Sequence, residues 1–557
     1  MPRPRLPLAD VLRLDRPSDI WFKPALSVVV AVALPNLLLL ALGRLDLAVY
    51  TMAGSLCALY AHNRPYAARA RVLAWVVLGM TGGLAVALVA ASFTDSAVVL
   101  VTVGALLAAA QKVLCDATRL GPPANVILAF ISSASLFLPG TLGQVPGHVA
   151  LALGAGAWAW LVCMAPGLLR PHGPERRATA HALTLAAAYA DQAPSDSHTA
   201  HPHPHPHSRT AAAAAVHAAW QTVMSAHGDT TRRALERLLI RAEVALAAPA
   251  ESDPVRLRAW ARDLRGTAPL PRPDDHLDDD HLDDDELAGA EAERAVGRAP
   301  LRRRLGPLAP IAVRTALGCA LAGYASLALG VGRPYWALVT AASLYQANVT
   351  LTWNRAVQRV VGNLAGVLVF AALVPLTRVH QVALVLVCLA LNFGAEALIS
   401  RNYWLGSVCV TPMALLITEF AQYQDSGRLI TERVVDTLVG AAVGFVAAIA
   451  VTNRRAGDRL GHALTAVEEA RDRAARLLAA PHPAPAALEQ ARRGLAAALV
   501  DLRATAEAAA GEWWQRALPE ERVVTAEQSA HRTLAATVRR QGLHLAPTHA
   551  RAEDVRR

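Results

Sequence analysis

Runs of about twenty apolar residues constrain this chain more than any other feature. A helix that crosses the hydrocarbon core needs roughly 20 mostly apolar residues, because lipid offers the backbone no hydrogen-bond partners. Six candidate spans precede residue 170, at about 25–42, 45–61, 72–91, 96–111, 124–139 and 149–168. Six more follow residue 310, at about 312–330, 335–351, 358–375, 380–399, 404–420 and 436–452. Those at 96–111 and 335–351 are short for a crossing. The mean hydropathy of +0.31 hides this alternation of apolar runs with stretches dense in Arg, Asp and His. The expected fold class is an all-α polytopic membrane protein.

Charge sets an expected orientation. The net charge is +10, almost all of it from arginine, since Lys23 and Lys112 are the only lysines. In the first half, thirteen basic residues fall on one side of the proposed membrane, and Arg44 alone falls on the other. The positive-inside rule then puts the N-terminus, and the connection after the sixth span, in the cytoplasm. The second half is less clean, with Arg333, Arg378, Arg428 and Arg433 on the assigned outer side. Basic charge beside apolar runs favours a membrane surface over nucleic acid. The six cysteines lie in or beside apolar runs without a CxxC pair, which argues against a disulfide scaffold or a zinc ribbon. The first 24 residues lack an apolar core and a cleavage site, and read as a cytoplasmic tail.

The chain also reads as a duplication. "HALT" recurs at 181–184 and 462–465, "AGSL" at 53–56 pairs with "AASL" at 341–344, and Gly79 and Gly83 match Gly362 and Gly366. The offsets of 281, 288 and 283 residues describe two parallel six-helix repeats, each followed by a cytoplasmic helical segment. The expected domains are the tail (1–24), a first transmembrane half (25–169), a helical region (170–305), a second transmembrane half (306–453) and a helical C-terminal region (454–557). Two biased tracts decorate the 170–305 region. The His/Pro tract (194–208) alternates the two residues as an extended linker, and its histidines offer ligands to a soft divalent ion. The acidic tract (267–290) lacks the glycine turn of a calcium loop and reads as a solvated linker. No metal and no cofactor is expected.

No GxxxxGK[ST], HExxH or GxSxG motif is present, and "GAGAWA" (154–159) lies inside a span, where it reads as helix packing. An enzyme is not expected, and pumping by P-loop ATP hydrolysis is excluded. The informative stretch is "WNRAVQRVVGNLAG" (353–366), in which Arg355, Arg359, Gly362 and Gly366 share one helical stripe. The glycines admit a neighbouring helix, and the arginines stand at the inner end of that contact, at the interface. They serve either as topology signals or as an electropositive vestibule that pairs with carboxylates. Arg69 and Arg71, with Arg64, occupy the same place in the first repeat, so two clusters would face one central path. Arg401 ends another span at the inner side. Glu396 and Glu419 are candidates for proton coupling if burial favours their neutral forms. Asn392, Asn348 and Gln346 are polar groups in spans that need partners.

The stretches "GRPYWALVTAASLYQANVTLTWNRAVQRVVGNLAGVLV", "SRNYWLGSVCVTPMALLITE" and "RVVDTLVGAAVG" resemble the fusaric acid resistance and aromatic acid exporter family. The resemblance rests on Tyr335 and Trp336 opening a span, then Arg355 and Arg359, then Gly362 and Gly366. Arg433, Asp436, Gly440 and Gly444 resemble the closing helix of that family. It is specific over roughly 310–452 and looser over 20–170, and Asn363 stands where the family often has Thr. It implies export of small, mostly aromatic or amphipathic carboxylic acids with use of the proton gradient. A distant likeness to plant malate channels keeps uncoupled anion permeation open, and a membrane scaffold without transport is a third reading. Expected partners are the lipid bilayer, a small organic anion and, as an option, a second copy of the chain; nucleic acid is not expected. The expected location is the cell membrane, with both termini cytoplasmic.

The orientation has a direct check. An Ala200→Cys variant should resist a membrane-impermeant maleimide in intact cells and react after permeabilisation. Labelling from outside would overturn the assignment.

Overall fold

The computed structural model describes residues 10–14, 21–192, 206–226, 230–266, 269–271, 305–451, 456–512 and 519–541. Most of the His/Pro tract (194–208) and of the acidic tract (267–290) lies outside the described residues. Among the described residues the regular structure is helical and no strand occurs.

The first apolar region holds α1 (Phe22–Ala41), α2 (Ala48–Ser55, continued by a 3-10 turn at Leu56–Leu59), α3 (Tyr66–Phe93), α4 (Ala97–Ala117), α5 (Asn125–Ser135) and α6 (Val145–Leu169). Four helices follow it: α7 (Gly173–Ala190), α8 (Pro206–Met224), α9 (Thr230–Ala247) and α10 (Pro254–Arg265). The second apolar region holds α11 (Ala309–Ala328), α12 (Tyr335–Leu344), α13 (Val349–Thr377), α14 (Gln381–Ile399), α15 (Tyr403–Thr418) and α16 (Ser426–Ala450). Helices α17 (Ala456–Ala479), α18 (Pro485–Ala510) and α19 (Glu520–Arg540) close the described chain.

This is a multi-pass membrane protein. Eight helices (α1, α3, α4, α6, α11, α13, α14 and α16) are long and apolar enough to cross a bilayer, and the apolar helices α2, α5, α12 and α15 are shorter. Their outward faces are what lipid requires: Trp75, Phe93, Leu168 and Leu368 are all more than 70% exposed. The expected crossing at 96–111 is not short, because α4 runs on to Ala117. Lys112 pairs with Asp116 at 3.0 Å one turn apart, which carries the helix past its apolar stretch. At 335–351 the helix stops at Leu344. Ten residues rise only about 15 Å, half a bilayer. All ten are buried, so the chain ends that follow them meet protein and not lipid.

Both regions run long, short, long, long, short, long. Their packing follows the same order. In the first, α2 lies on α6, α3 on α5 and α6, and α4 on α5; in the second, α12 lies on α16, α13 on α15 and α16, and α14 on α15. Between regions, α1 packs on α14 while its counterpart α11 packs on α4. One apolar core, including Leu73, Met80 and Leu128 with Phe370, Leu384 and Leu415, runs through both.

Helices α18 and α19 pack on α8 and α9, so the two helical segments lie together on one side, here called inner. Arg492 pairs with Glu243 at 3.0 Å, and Arg493 lies 3.7 Å over the Trp220 ring. Segment and membrane region are tied at Gly511, whose carbonyl accepts from Thr350 N at 3.1 Å. On the same side the Asp10–Leu12 turn caps α13 and α15, where Gln358 and Asn402 donate to Val11 O, each at 3.0 Å.

The paired glycines are not equivalent. A Cβ on Gly362 would sit 2.6 Å from Trp404 O, and one on Gly366 2.7 Å from Thr411 Cβ. Gly83 faces Ser132 Oγ at 2.5 Å, whereas Gly79 would meet only Leu128, at 3.5 Å. Gly79 is therefore not a point of close approach. Gly79→Ala should hold or raise the melting temperature, since alanine is the better helix former by up to about 1 kcal/mol. Gly362→Ala should lower it, with an overpacking penalty of about 1–3 kcal/mol. Thermal unfolding in detergent checks the opposite signs.

Candidate functional site

The close contact of α13 with α15 brings Arg355 and Arg359 onto Tyr403. Arg359 Nη1 donates to Tyr403 Oη at 2.9 Å, and the Arg355 guanidinium lies 3.8 Å over the same ring. Tyr403 stands at the start of α15, where Asn402 caps the helix by accepting from Trp404 N. Helix α13 begins at Val349, so these arginines lie within the helix and not at its mouth, as the sequence reading had them. Arg359 is 5% exposed.

A third arginine joins them. Arg433 of α16 is 1% exposed, and its guanidinium lies 4.1 Å over the Trp336 ring at the start of α12. Arg433 Nη2 donates to Asn363 Oδ1 at 3.3 Å, and Arg359 is near enough for the two cations to repel. Asn363 is held from both sides: Thr411 donates to its Oδ1, and its Nδ2 donates to Thr437 Oγ1 at 3.1 Å. Asn363 thus supplies both an acceptor and a donor to the bundle interior. One turn beyond Arg433, fully buried Asp436 accepts from Ser326 Oγ at 2.6 Å.

The charge balance of this cluster is uneven. None of Arg355, Arg359 and Arg433 forms an ion pair within 4 Å among the described residues. Arg359 Nε, Arg433 Nε and Arg433 Nη1 are buried without a hydrogen-bond acceptor, and Asp436 Oδ2 is buried without a donor. Burying a guanidinium without a counter-ion costs several kcal/mol. Stacking on Trp336 and Tyr403 recovers only part of that, about 2 kcal/mol each when desolvated. Aromatic rings continue the wall: Tyr335 lies 4.8 Å from Trp336, and Phe130 and Phe137 of the first region lie 5.6 Å from Trp336 and 5.7 Å from Tyr335.

The expected second cluster does not form with the first. Arg69 is buried near the start of α3, where its Nη2 meets His62 Nδ1 at 3.0 Å. Burial, with the Arg69 cation beside it, holds the His62 imidazole down to about 3, so the ring is neutral and Nδ1 accepts. Arg71 is exposed and its Nε reaches only Ala67 O, at 3.4 Å. Neither has a hydrogen bond to Tyr403, Asn363 or Arg433 among the described residues. Arg401 sits in the turn between α14 and α15, away from these contacts. Glu396 is half-buried on α14, below buried Asn392. Glu419 caps α15 at the outer end, buried, with Arg378 Nη2 3.2 Å from its Oε1.

Arg433 and Asp436 are the functional candidates that the sequence reading did not promote. It began the last span at 436 and so left Arg433 in an outer loop, whereas α16 starts at Ser426. The available signal was an arginine and an aspartate three apart on a helix that glycines press into the bundle. Gly440 leaves no room for a Cβ, which would fall 2.5 Å from Ala337 O.

Residues 320–447, which contain the arginines, Asn363, Asp436, Trp336 and Tyr403, match the family described as fusaric acid resistance protein-like. The uncharacterized membrane protein YvaC of Bacillus subtilis (strain 168) is 31% identical over 137 residues, covering 24% of this chain and 22% of that protein. No solved structure matches.

Proposed function

Starting from a fusaric acid resistance protein-like domain over residues 320–447, we propose that this membrane protein exports small organic anions, aromatic carboxylates foremost. The observation that carries the reading is the set of three arginines on α13 and α16 with no carboxylate within 4 Å of any of them among the described residues. A protein that folds around unpaired guanidiniums has a place for an anion that arrives from elsewhere. A carboxylate would take the free Nε and Nη donors of Arg433 and Arg359 in a forked pair. Its aromatic body would take the faces of Trp336 and Tyr403 on which the cations now rest.

The inner side is then the cytoplasm, and the twelve apolar helices form two parallel repeats in a cell membrane. The short helices α2 and α12, and α5 and α15, hold corresponding places, the pattern that marks a midplane site in repeat-built transporters. Under an inside-negative potential an anion leaves downhill, by about 2.3 kcal/mol per charge per 100 mV. Asp436 gates substrate binding by its protonation, and the membrane potential, not proton exchange, drives the anion out. Ionised, it lies one turn from Arg433 and competes with the substrate carboxylate; protonated, it leaves Arg433 to the substrate. Acidification on the side that Asp436 faces therefore favours anion binding.

Efflux of benzoate from proteoliposomes holding the full chain tests this. Arg433→Lys and Arg359→Lys keep the charge and lose the planar fork. Each should lower the initial rate about tenfold, a loss near 1.4 kcal/mol, at unchanged protein level. Full rates in the double Lys variant would remove the binding role.

Asp436→Asn carries the second expectation. Wild-type efflux should rise as pH falls, while the variant should run at the low-pH rate throughout. A variant that keeps the wild-type pH profile would exclude Asp436 as the pH-sensitive gate, and a flat wild-type profile would remove a role for its protonation.

A further inference from the structure

A separate cleft of about 400 Å³ opens at the inner end, where the two membrane regions meet. Its walls come from three parts of the chain. Lys112 and Asp116 on the last turns of α4 and Arg119 just beyond belong to the first region, Arg314 on α11 and Gln346 after α12 to the second, and Arg459 to α17. It shares no residue with the site around Arg433.

Four cations face this cleft. Two carboxylates answer them: Asp116, occupied by Lys112 at 3.0 Å, and Glu512, which lies near Arg314 and Arg459. Burial pushes the Glu512 carboxyl up, against the pull of those two arginines. Arg314 is 3% exposed and donates from Nε and Nη2 to Val451 O, at 3.0 and 2.6 Å. That acceptor is neutral, so the hydrogen bonds fix the guanidinium in position without neutralising it, and Glu512 is the carboxylate near it. The turn bearing Arg119 is fixed too, since Arg64 Nη2 donates to Arg119 O at 3.0 Å. Arg119 and Arg459 are exposed and line the cleft from different parts of the chain.

We propose that this cleft binds a phosphate-type anion, either the headgroup of an anionic lipid of the adjacent leaflet or a small phosphate ester, and that the bound group bridges the two membrane regions and α17. Several guanidiniums converging from different helices suit a tetrahedral multi-oxygen anion better than a lone carboxylate. Basic recesses between membrane helices beside the cytoplasmic leaflet hold lipid headgroups on the same grounds. The walls belong to regions that must shift relative to each other if substrate is to cross. An occupant would therefore stabilise the arrangement in which Arg314 and Arg119 face each other.

The test uses the full chain in nanodiscs and reads thermal unfolding. In discs of neutral phosphatidylcholine, inorganic phosphate is titrated against chloride at equal ionic strength; in a second arm the discs contain phosphatidylglycerol and no phosphate is added. The wild type should be stabilised in at least one arm, and which arm responds identifies a soluble ester or a lipid as the source. Arg119→Gln with Arg459→Gln, both exposed positions, should fold normally and weaken the response about tenfold per arginine removed. No stabilisation of the wild type in either arm, or equal stabilisation of the double variant, would overturn the proposal.

Discussion

Two glycines one turn apart on α13 let α15 lie against it at backbone distance, and the candidate site depends on that contact. With Trp404 O and Thr411 Cβ where side chains would otherwise be, Asn363 reaches Thr411, and Arg359 reaches Tyr403. Gly440 does the same for α16 against α12, which seats Arg433 over Trp336. Lipid gives membrane helices no hydrophobic reason to associate, so small residues and buried polar bonds must carry the packing. The same small residues bring cations inward, where lipid would never accept them.

The two regions share an order of helix lengths and a packing plan, yet the charges sit in one of them. By the 283-residue offset of the glycine pairs, Val76 and Met80 hold the places of Arg359 and Asn363. By the 281-residue offset of α6 and α16, Ala152 and Ala155 hold those of Arg433 and Asp436. These four are buried and apolar, inside the common core or against it. The first region contributes support: Phe130 and Phe137 back the aromatic wall, and α4 and α5 brace α12. Two regions with a shared order of helices thus differ at these four positions in chemistry, and the cluster around Arg433 belongs to the second alone.

Much of this was legible beforehand, for stated reasons. Apolar runs of about twenty residues report lipid directly, so the long helices were readable, as were the helical segments after residues 170 and 454. Helix ends were less so, because hydropathy falls where a charge enters a helix. That placed the start of α13 at 358 in place of Val349, and of α16 at 436 in place of Ser426, and hid Arg433. The stripe through Arg355, Arg359, Gly362 and Gly366 was visible from spacing alone. Its partners Tyr403, Asn363 and Trp336 were not, because contact between helices far apart in sequence leaves no local trace. Arg69 and Arg71 misled for the converse reason: a matching place in a repeat does not guarantee a matching neighbour.

The account stands on the claim that Arg355, Arg359 and Arg433 lack a counter-ion that a substrate brings. Equilibrium stabilisation by benzoate against benzamide, in neutral nanodiscs, isolates that claim, since the two differ chiefly in the carboxylate charge. Binding to the folded state alone raises stability by RT ln(1 + [L]/Kd). The account predicts a rise in unfolding temperature that grows with the logarithm of benzoate concentration above Kd and is absent with benzamide. Equal rises with both, or none with any aromatic carboxylate tried, would contradict it.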